Sequence, residues 1–327
     1  MRLFLVAILV GFLGCAGLGY AWLNRPFQLP AATVDLSIEP GDSAREVAMD
    51  VVQAGVPVSP ALLYWWFRLS GESRKIKAGS YELAQGTSPR SLLKKLVQGE
   101  EALRSVTLVE GWTFRQVRAA LKNAEQLKPD TQDLPVEVLM AQLGKPGVPA
   151  EGRFFPDTYT YAKGSSDLAV LQRALRAMDR KLDAAWAQRD PQTPLQTPEQ
   201  ALVLASIVEK ETGRASDRAQ IAAVFSNRLR IGMRLQTDPS VIYGLGDAFD
   251  GNLRKTDLLT DTPWNTYTRT GLPPTPIAMP GKAALLAAVQ PAASKAMYFV
   301  AKGDGNSHFS ATLDEHNRAV NKYQRGQ

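Results

Sequence analysis

Thr197-Pro198-Glu199-Gln200-Ala201-Leu202-Val203-Leu204-Ala205-Ser206-Ile207-Val208-Glu209-Lys210-Glu211-Thr212-Gly213 reads as one helix with its own start and stop signals. Thr197 supplies the N-cap, Pro198 takes the first helical position, and Glu199 and Gln200 follow in the first turn. Gly213 ends the run. At 3.6 residues per turn, Glu211 shares a face with Leu204, Ile207 and Val208. Glu209 is two positions away and is expected on the opposite, wet side. An acid among aliphatic side chains has its charged form disfavoured, so its pKa rises. Such a carboxyl keeps its proton near neutral pH and can serve as a general acid. A surface Glu-Lys-Glu run at a helix end fits the same spacing, so the flanking sequence has to decide.

Downstream, Ser216 to Arg230 forms a second amphipathic pattern, with Ile221, Val224, Phe225 and Leu229 inward. Gly232 to Gly281 is rich in Pro, Gly, Thr and Asn and is expected to be poor in helix. Asp238 before Pro239 is expected to start a turn. Long loops inside a compact domain commonly carry function. This one holds residues of the kinds that grip sugars: Gln236, Thr237, Asp238, Ser240, Tyr243, Trp264, Asn265, Thr266 and Tyr267. Amides and carboxylates bind hydroxyls, and aromatic faces stack on pyranose rings. Gln236, Asp238, Tyr243, Asn265 and Tyr267 are the candidate substrate-binding set beside Glu211 as the candidate catalytic acid. A last helix (282–289), a strand (297–301) and a terminal helix (313–323) close the chain.

The chain has 327 residues, with a formal charge of +6 spread along its length. No zinc-finger spacing and no basic stripe interleaved with aromatics is present, so nucleic acid is a poor partner. The two histidines, His308 and His316, form no metal-ligand motif, and no acidic calcium loop or phosphate-binding glycine motif occurs. No metal and no cofactor are expected. A histidine-based serine hydrolase would have to draw its base from the last twenty residues, and no nucleophile elbow accompanies it.

Residues 3–23 (LFLVAILVGFLGCAGLGYAWL) carry no charge. At 1.5 Å per residue they reach about 31 Å, enough to cross a bilayer core. Tyr20 and Trp22 suit the interface at one end. The expected topology is a two-residue cytoplasmic tail (1–2), a single-pass anchor (3–23), a linker (24–33) and an exported remainder. A cleaved signal peptide or a lipoprotein site at Cys15 fits less well, because the apolar run continues past both. Cys15 is the only cysteine. The exported part therefore has no disulfide.

Residues 34–104 contain a strand, two helices and a second strand, followed by a further helix. Ser43, Ser88 and Thr113 each cap a helix after a glycine turn, in a weak three-fold repeat of strand, turn and helix. The 34–104 segment resembles the LysM fold, a carbohydrate-binding βααβ module. The remaining 105–327 is expected to be an α+β catalytic domain, and the fold class of the whole is α+β.

Five segments carry a closer resemblance: EGRFFPDTY (151–159), LASIVEKET (204–212), VFSNRLRIGMRLQTDPSVIYGLG (224–246), WNTYTRTGLPPTPIAMPG (264–281) and YFVAKGDGNSHFSATLDEHN (298–317). Together they resemble the YceG-like family of endolytic murein transglycosylases, over nearly the whole chain. Thr275 stands where the family commonly has glycine. The resemblance implies that Glu211 is the catalytic acid, with Thr212 where lysozyme-like lytic transglycosylases have serine. It also implies peptidoglycan glycan strands as substrate, the inner membrane as site with the catalytic domain in the periplasm, and cell-wall synthases as partners. A single acid suffices for that chemistry, whereas a hydrolase commonly needs two carboxylates. A glycan-binding scaffold without catalysis and a muramidase-type hydrolase are the alternatives.

Overall fold

The computed structural model describes residues 2–326; for residues 2–10, 12 and 15 the description is of the backbone alone. The chain divides into two compact units. The first runs up to Arg104 and takes in residues 160–165; the second holds 105–159 and the rest from Ser166 onward.

The first unit begins with α1 (Arg2–Asn24), then β1 (Thr33–Ile38), α2 (Ala44–Gln53), α3 (Pro60–Leu69), β2 (Gly79–Ala84) and α4 (Pro89–Gln98). Among the described residues no helix is long and apolar enough to cross a membrane. The expected anchor at 3–23 lies in large part outside the side chains described. β1 alternates exposed and buried residues and pairs antiparallel with β2, Leu36 opposite Tyr81 and Val34 opposite Leu83. Leu36, Val51, Leu63, Phe67, Tyr81, Leu83, Leu92 and Leu96 form the core between this strand pair and the helices α2, α3 and α4. Ser43 and Ser88 close capping boxes at the starts of α2 and α4, and Pro89 and Pro60 occupy first turns. Each device satisfies donors that a helix start leaves open.

The chain passes between the units within two paired strands, β3 (Leu103–Thr107) and β4 (Thr158–Ala162). The second unit then comprises α5 (Phe114–Lys122), α6 (Val136–Gln142), α7 (Asp167–Ala187), α8 (Pro198–Glu211) and α9 (Ala215–Arg230). After these come α10 (Asp238–Leu245), α11 (Lys255–Leu259), α12 (Lys282–Val289), the hairpin of β5 (Tyr298–Ala301) and β6 (Ser307–Ser310), and α13 (Leu313–Gln324). Helices dominate, and the short strands make the fold α+β.

At the centre lies α8. Thr197 accepts from the Gln200 N–H and Pro198 sits in the first turn, as its sequence signals require. Residues 201–208 are all buried, with α7, α9 and α12 packed around them. A helix covered on every side has no wet face, which corrects the amphipathic expectation. Its C-terminal end is thereby held inside the unit, and that end carries Glu209 and Glu211.

The 232–281 region is poor in helix, holding only the short α10 and α11 and a single 3-10 turn between them. Asp238 does not start an isolated turn but opens α10, with Pro239 in the first turn, where a missing N–H costs nothing. Val241 and Ser240 are buried, so tertiary packing stabilises a helix whose eight residues carry little propensity of their own.

Candidate active site

Glu211 is the last residue of α8, at a point where α8 meets the start of α10. The Thr237 hydroxyl donates to Glu211 Oε1. Thr237 is itself held by a buried hydroxyl network. Its N–H donates to Thr266 Oγ1 at 3.1 Å, Ser240 Oγ donates to the Thr237 carbonyl at 2.8 Å, and Ser240 and Thr266 share a hydrogen bond at 2.8 Å. The preceding Gln236 has φ 51°, the left-handed region that few non-glycine residues adopt. Its N–H donates to the Thr266 carbonyl at 3.1 Å. Two loop segments, 236–240 and 264–267, are thus laced together behind the carboxyl. Thr237, Ser240 and Thr266 are buried, so they back the acid and are not groove contacts.

Burial pushes the Glu211 carboxyl above its ordinary range. Thr237's hydrogen bond opposes the shift, the Asp238 carboxylate adds to it, and the Arg228 guanidinium opposes it. Arg228 is buried on α9 and donates to the carbonyls of Leu235 and Met297, each at 2.7 Å. It also lies over the Tyr298 ring at 5.3 Å. One side chain therefore ties together α9, the segment leading to Thr237, and the start of β5. Tyr267 donates to Asp238 Oδ1 at 2.5 Å.

A cleft of about 410 Å³ opens over these groups, lined by Glu211, Arg228, Gln236, Asp238, Tyr267, Tyr298 and His316 among others. Four of the expected site residues, Glu211, Gln236, Asp238 and Tyr267, are brought together there. Among the described residues no cluster of three or more His, Cys, Asp or Glu could hold a metal ion.

Two expected contacts lie elsewhere. Asn265 is fully buried. Its amide donates to the carbonyls of Asp257, Leu258 and Thr260, and its Oδ1 accepts from the Tyr267 N–H. It is a staple that shapes the loop carrying Tyr267, its amide protons taken by backbone carbonyls and its side chain closed off from any sugar by burial. Tyr243 projects from α10 into a second cleft, of about 810 Å³, which Glu151, Phe114 and Trp264 also line. Arg228, Tyr298 and His316 were missed as site residues. Nothing in the sequence separates Arg228 from Arg230 and Arg234 nearby; only the fold turns it inward.

Glu209 corrects the sequence reading most directly. Its side chain is only 6% exposed and does not face water. It accepts from the Gly281 N–H at 2.8 Å and lies 3.7 Å from the Arg218 guanidinium. Burial raises its pKa too, with the Gly281 hydrogen bond opposing. Burial alone therefore does not single out Glu211. What distinguishes the two acids is that Glu209 is tied into the packing of α9 and α12, whereas Glu211 opens on a cleft.

The segment 151–159 reaches the second cleft. Glu151 is buried, accepts from the Phe114 N–H at 3.0 Å at the start of α5, and accepts from the Tyr243 hydroxyl at 3.2 Å. Phe114 stacks on Phe154 with ring centroids 5.1 Å apart. Gly152 has φ 78°, and a Cβ there would fall 2.4 Å from Pro276, so only glycine lets this segment meet the 264–281 loop. Burial raises Glu151 from 4.5 to about 7, against the hydrogen bonds from Phe114, Tyr243 and Gly152.

A stability prediction follows from that shift. Between the two pKa values the folded chain keeps a proton that the unfolded chain releases, so stability falls as pH rises through this range. The carboxyl at about 7 makes the loss on the order of 3 kcal/mol above its folded pKa. In Glu151→Gln the neutral amide removes this slope. Denaturant melts of both proteins from acid to mildly alkaline pH should diverge, the variant gaining on the parent as pH rises. Parallel curves would show that Glu151 does not hold its proton in the fold.

The YceG-like family model matches residues 36–322. The chain belongs to the YceG-like family. A curated relative of this YceG-like protein, the endolytic murein transglycosylase of Bacillus subtilis (strain 168), is 32% identical over 308 residues, covering 89% of this chain and 85% of the relative. The endolytic murein transglycosylase of Streptococcus pneumoniae serotype 2 is 27% identical over 323 residues, covering 88% of this chain and 58% of that longer protein. A crystal structure of a putative yceG-like protein from Listeria monocytogenes superposes with a TM-score of 0.56 at 28% identity, covering 88% of this chain and 98% of the other. All five segments that carried the sequence resemblance fall inside the matched range.

Proposed function

We propose that this YceG-like protein is an endolytic murein transglycosylase, a lyase that cuts peptidoglycan glycan strands between N-acetylmuramic acid and N-acetylglucosamine. The observation that carries the reading is Glu211: a carboxyl raised by burial, steadied by Thr237, and open to a cleft. The names of the relatives, at 27% and 32% identity over most of the chain, support the same activity.

The chemistry needs one acid. Protonated Glu211 gives its proton to the bridging oxygen as the bond to C1 breaks. The carboxylate left behind takes the proton of the C6 hydroxyl on the same muramyl residue. That oxygen closes on C1 and leaves a 1,6-anhydro end. The nucleophile is part of the substrate, so little entropy is lost in bringing it to the reacting carbon. Thr237 steadies the charged form of Glu211, and Asp238 and Arg228 set its proton affinity from opposite sides. Gln236, Asp238 and Tyr267 are the groove contacts.

The chain is anchored in the inner membrane by residues 3–23, its catalytic unit is in the periplasm, and it works beside cell-wall synthases. The β1-α2-α3-β2 order of the first unit supports a LysM-like role in holding glycan. The test is mass analysis of sacculi digested with the whole chain in detergent. Soluble fragments ending in anhydromuramyl, each one water lighter than a hydrolysis product, are expected. Reducing ends would make the protein a hydrolase, and sacculus binding without release would make it a scaffold.

A further inference from the structure

The first unit carries an apolar stripe that the fold leaves uncovered. On α3, Leu63 and Phe67 are fully buried, while Leu62, Trp65 and Leu69 are 52%, 57% and 80% exposed. At about 100° per residue the three exposed side chains fall within roughly 60° of arc, so they form one face and not scattered exceptions. A glycan-binding surface gains from an exposed tryptophan, but not from two leucines in line with it.

The position of α3 says what covers this face. The chain leaving α1 is fastened to the same unit. Trp22 packs against its core, the Tyr20 ring lies under Arg90 at 5.2 Å, and the Phe27 N–H donates to the Thr87 carbonyl at 2.8 Å. Trp22 and Arg25 line a cleft together with Val58 and Ser59, and Ser59 is the N-cap of α3. So α3 starts beside the last turn of α1, and Leu69 lies only about 14 Å further along the helix axis. Between residues 60 and 79 there are four basic residues, Arg68, Arg74, Lys75 and Lys77, against one acid, Glu72. A short helix with a Leu-Trp-Leu face and basic flanks has the composition of a segment that lies in a headgroup layer.

We propose that the Leu62–Trp65–Leu69 face of α3 rests in the headgroup layer of the bilayer that α1 enters, so that the first unit is a membrane-surface module. The proposal rests on the anchor reading given under the proposed function, and its test separates the two. The whole chain is reconstituted into vesicles containing lipids brominated near the headgroup end of the acyl chain. Tryptophan emission is compared with that of Trp65→Phe, whose difference isolates Trp65, and of Trp22→Phe, which isolates the end of α1. Loss of the Trp65 emission on brominated vesicles is expected. Recovery of that emission in Leu62→Ser/Leu69→Ser is expected too, with unchanged thermal melting because both leucines are exposed. Quenching of Trp22 without quenching of Trp65 would keep the anchor and overturn the present inference. Failure of the chain to float with vesicles would remove the anchor reading and this one with it. Protection of Trp65 that grows with protein concentration and ignores the lipid would assign the face to a second copy and overturn the proposal.

Discussion

Glu211→Gln should lose release of anhydromuramyl fragments by on the order of 100- to 10,000-fold, the span that general acid–base groups contribute. Glutamine still accepts from the Thr237 hydroxyl, so the contact behind the acid survives. What disappears is the proton given to the leaving oxygen and taken back from the C6 hydroxyl. Sacculus binding should change little, and the variant should melt no lower than the parent, because a neutral isostere replaces a carboxyl whose charged form burial disfavours. The parent enzyme should also show a falling limb in its pH–rate profile above the ordinary carboxylate range. Burial raises Glu211, and activity requires the protonated form, so rate is lost as pH rises through the folded pKa. Near-normal release by the folded variant would end the assignment of Glu211 as the acid.

Glu209→Gln should fail in the opposite way. It retains an oxygen for the Gly281 N–H but leaves the Arg218 guanidinium, 13% exposed, without its counter-charge. Breaking one partner of a buried pair typically costs about 3 kcal/mol or more, because the remaining charge stays desolvated. The 3.7 Å separation places this pair at the lower end of that range. The variant should melt well below the parent, while turnover per folded molecule stays close to normal. Arg218→Met in the same background should recover part of the loss, since two neutral side chains then replace the pair. A Glu209→Gln protein that melts like the parent but cuts no glycan would exchange the roles of the two acids.

The contrast between these acids marks where sequence reading stops. Helical periodicity chose Glu211 over Glu209, setting Glu211 on the face of Leu204, Ile207 and Val208. It placed Glu209 in water because an isolated helix has an outside. Here α7, α9 and α12 occupy that outside. Local signals were otherwise reliable where chemistry is local. Thr197 and Pro198 start α8, Ser43 and Ser88 cap α2 and α4, and α12 covers residues 282–289, as read from the chain. They failed for α10, whose eight residues need the packing of Val241 and Ser240 to stay helical. They failed also for β4 and β6, strands of five and four residues that exist only through their partners.

The candidate site divides along the same line. By itself the sequence determined the family, the residue types available for acid catalysis, the absence of motif-level metal or nucleotide sites, and the charge-free run at 3–23. All of these depend on which residues occur and how far apart they stand along the chain. The tertiary structure alone decided which of the sugar-type residues share a cleft with Glu211. Gln236, Asp238 and Tyr267 do. Asn265 is consumed by backbone carbonyls, and Tyr243 belongs with Glu151 around the second cleft. It also turned Arg228 inward to hold three segments at once. Such choices follow from burial and from hydrogen bonds between residues tens of positions apart. The same amide is a sugar contact in a groove and a loop staple in a core, and only packing determines which.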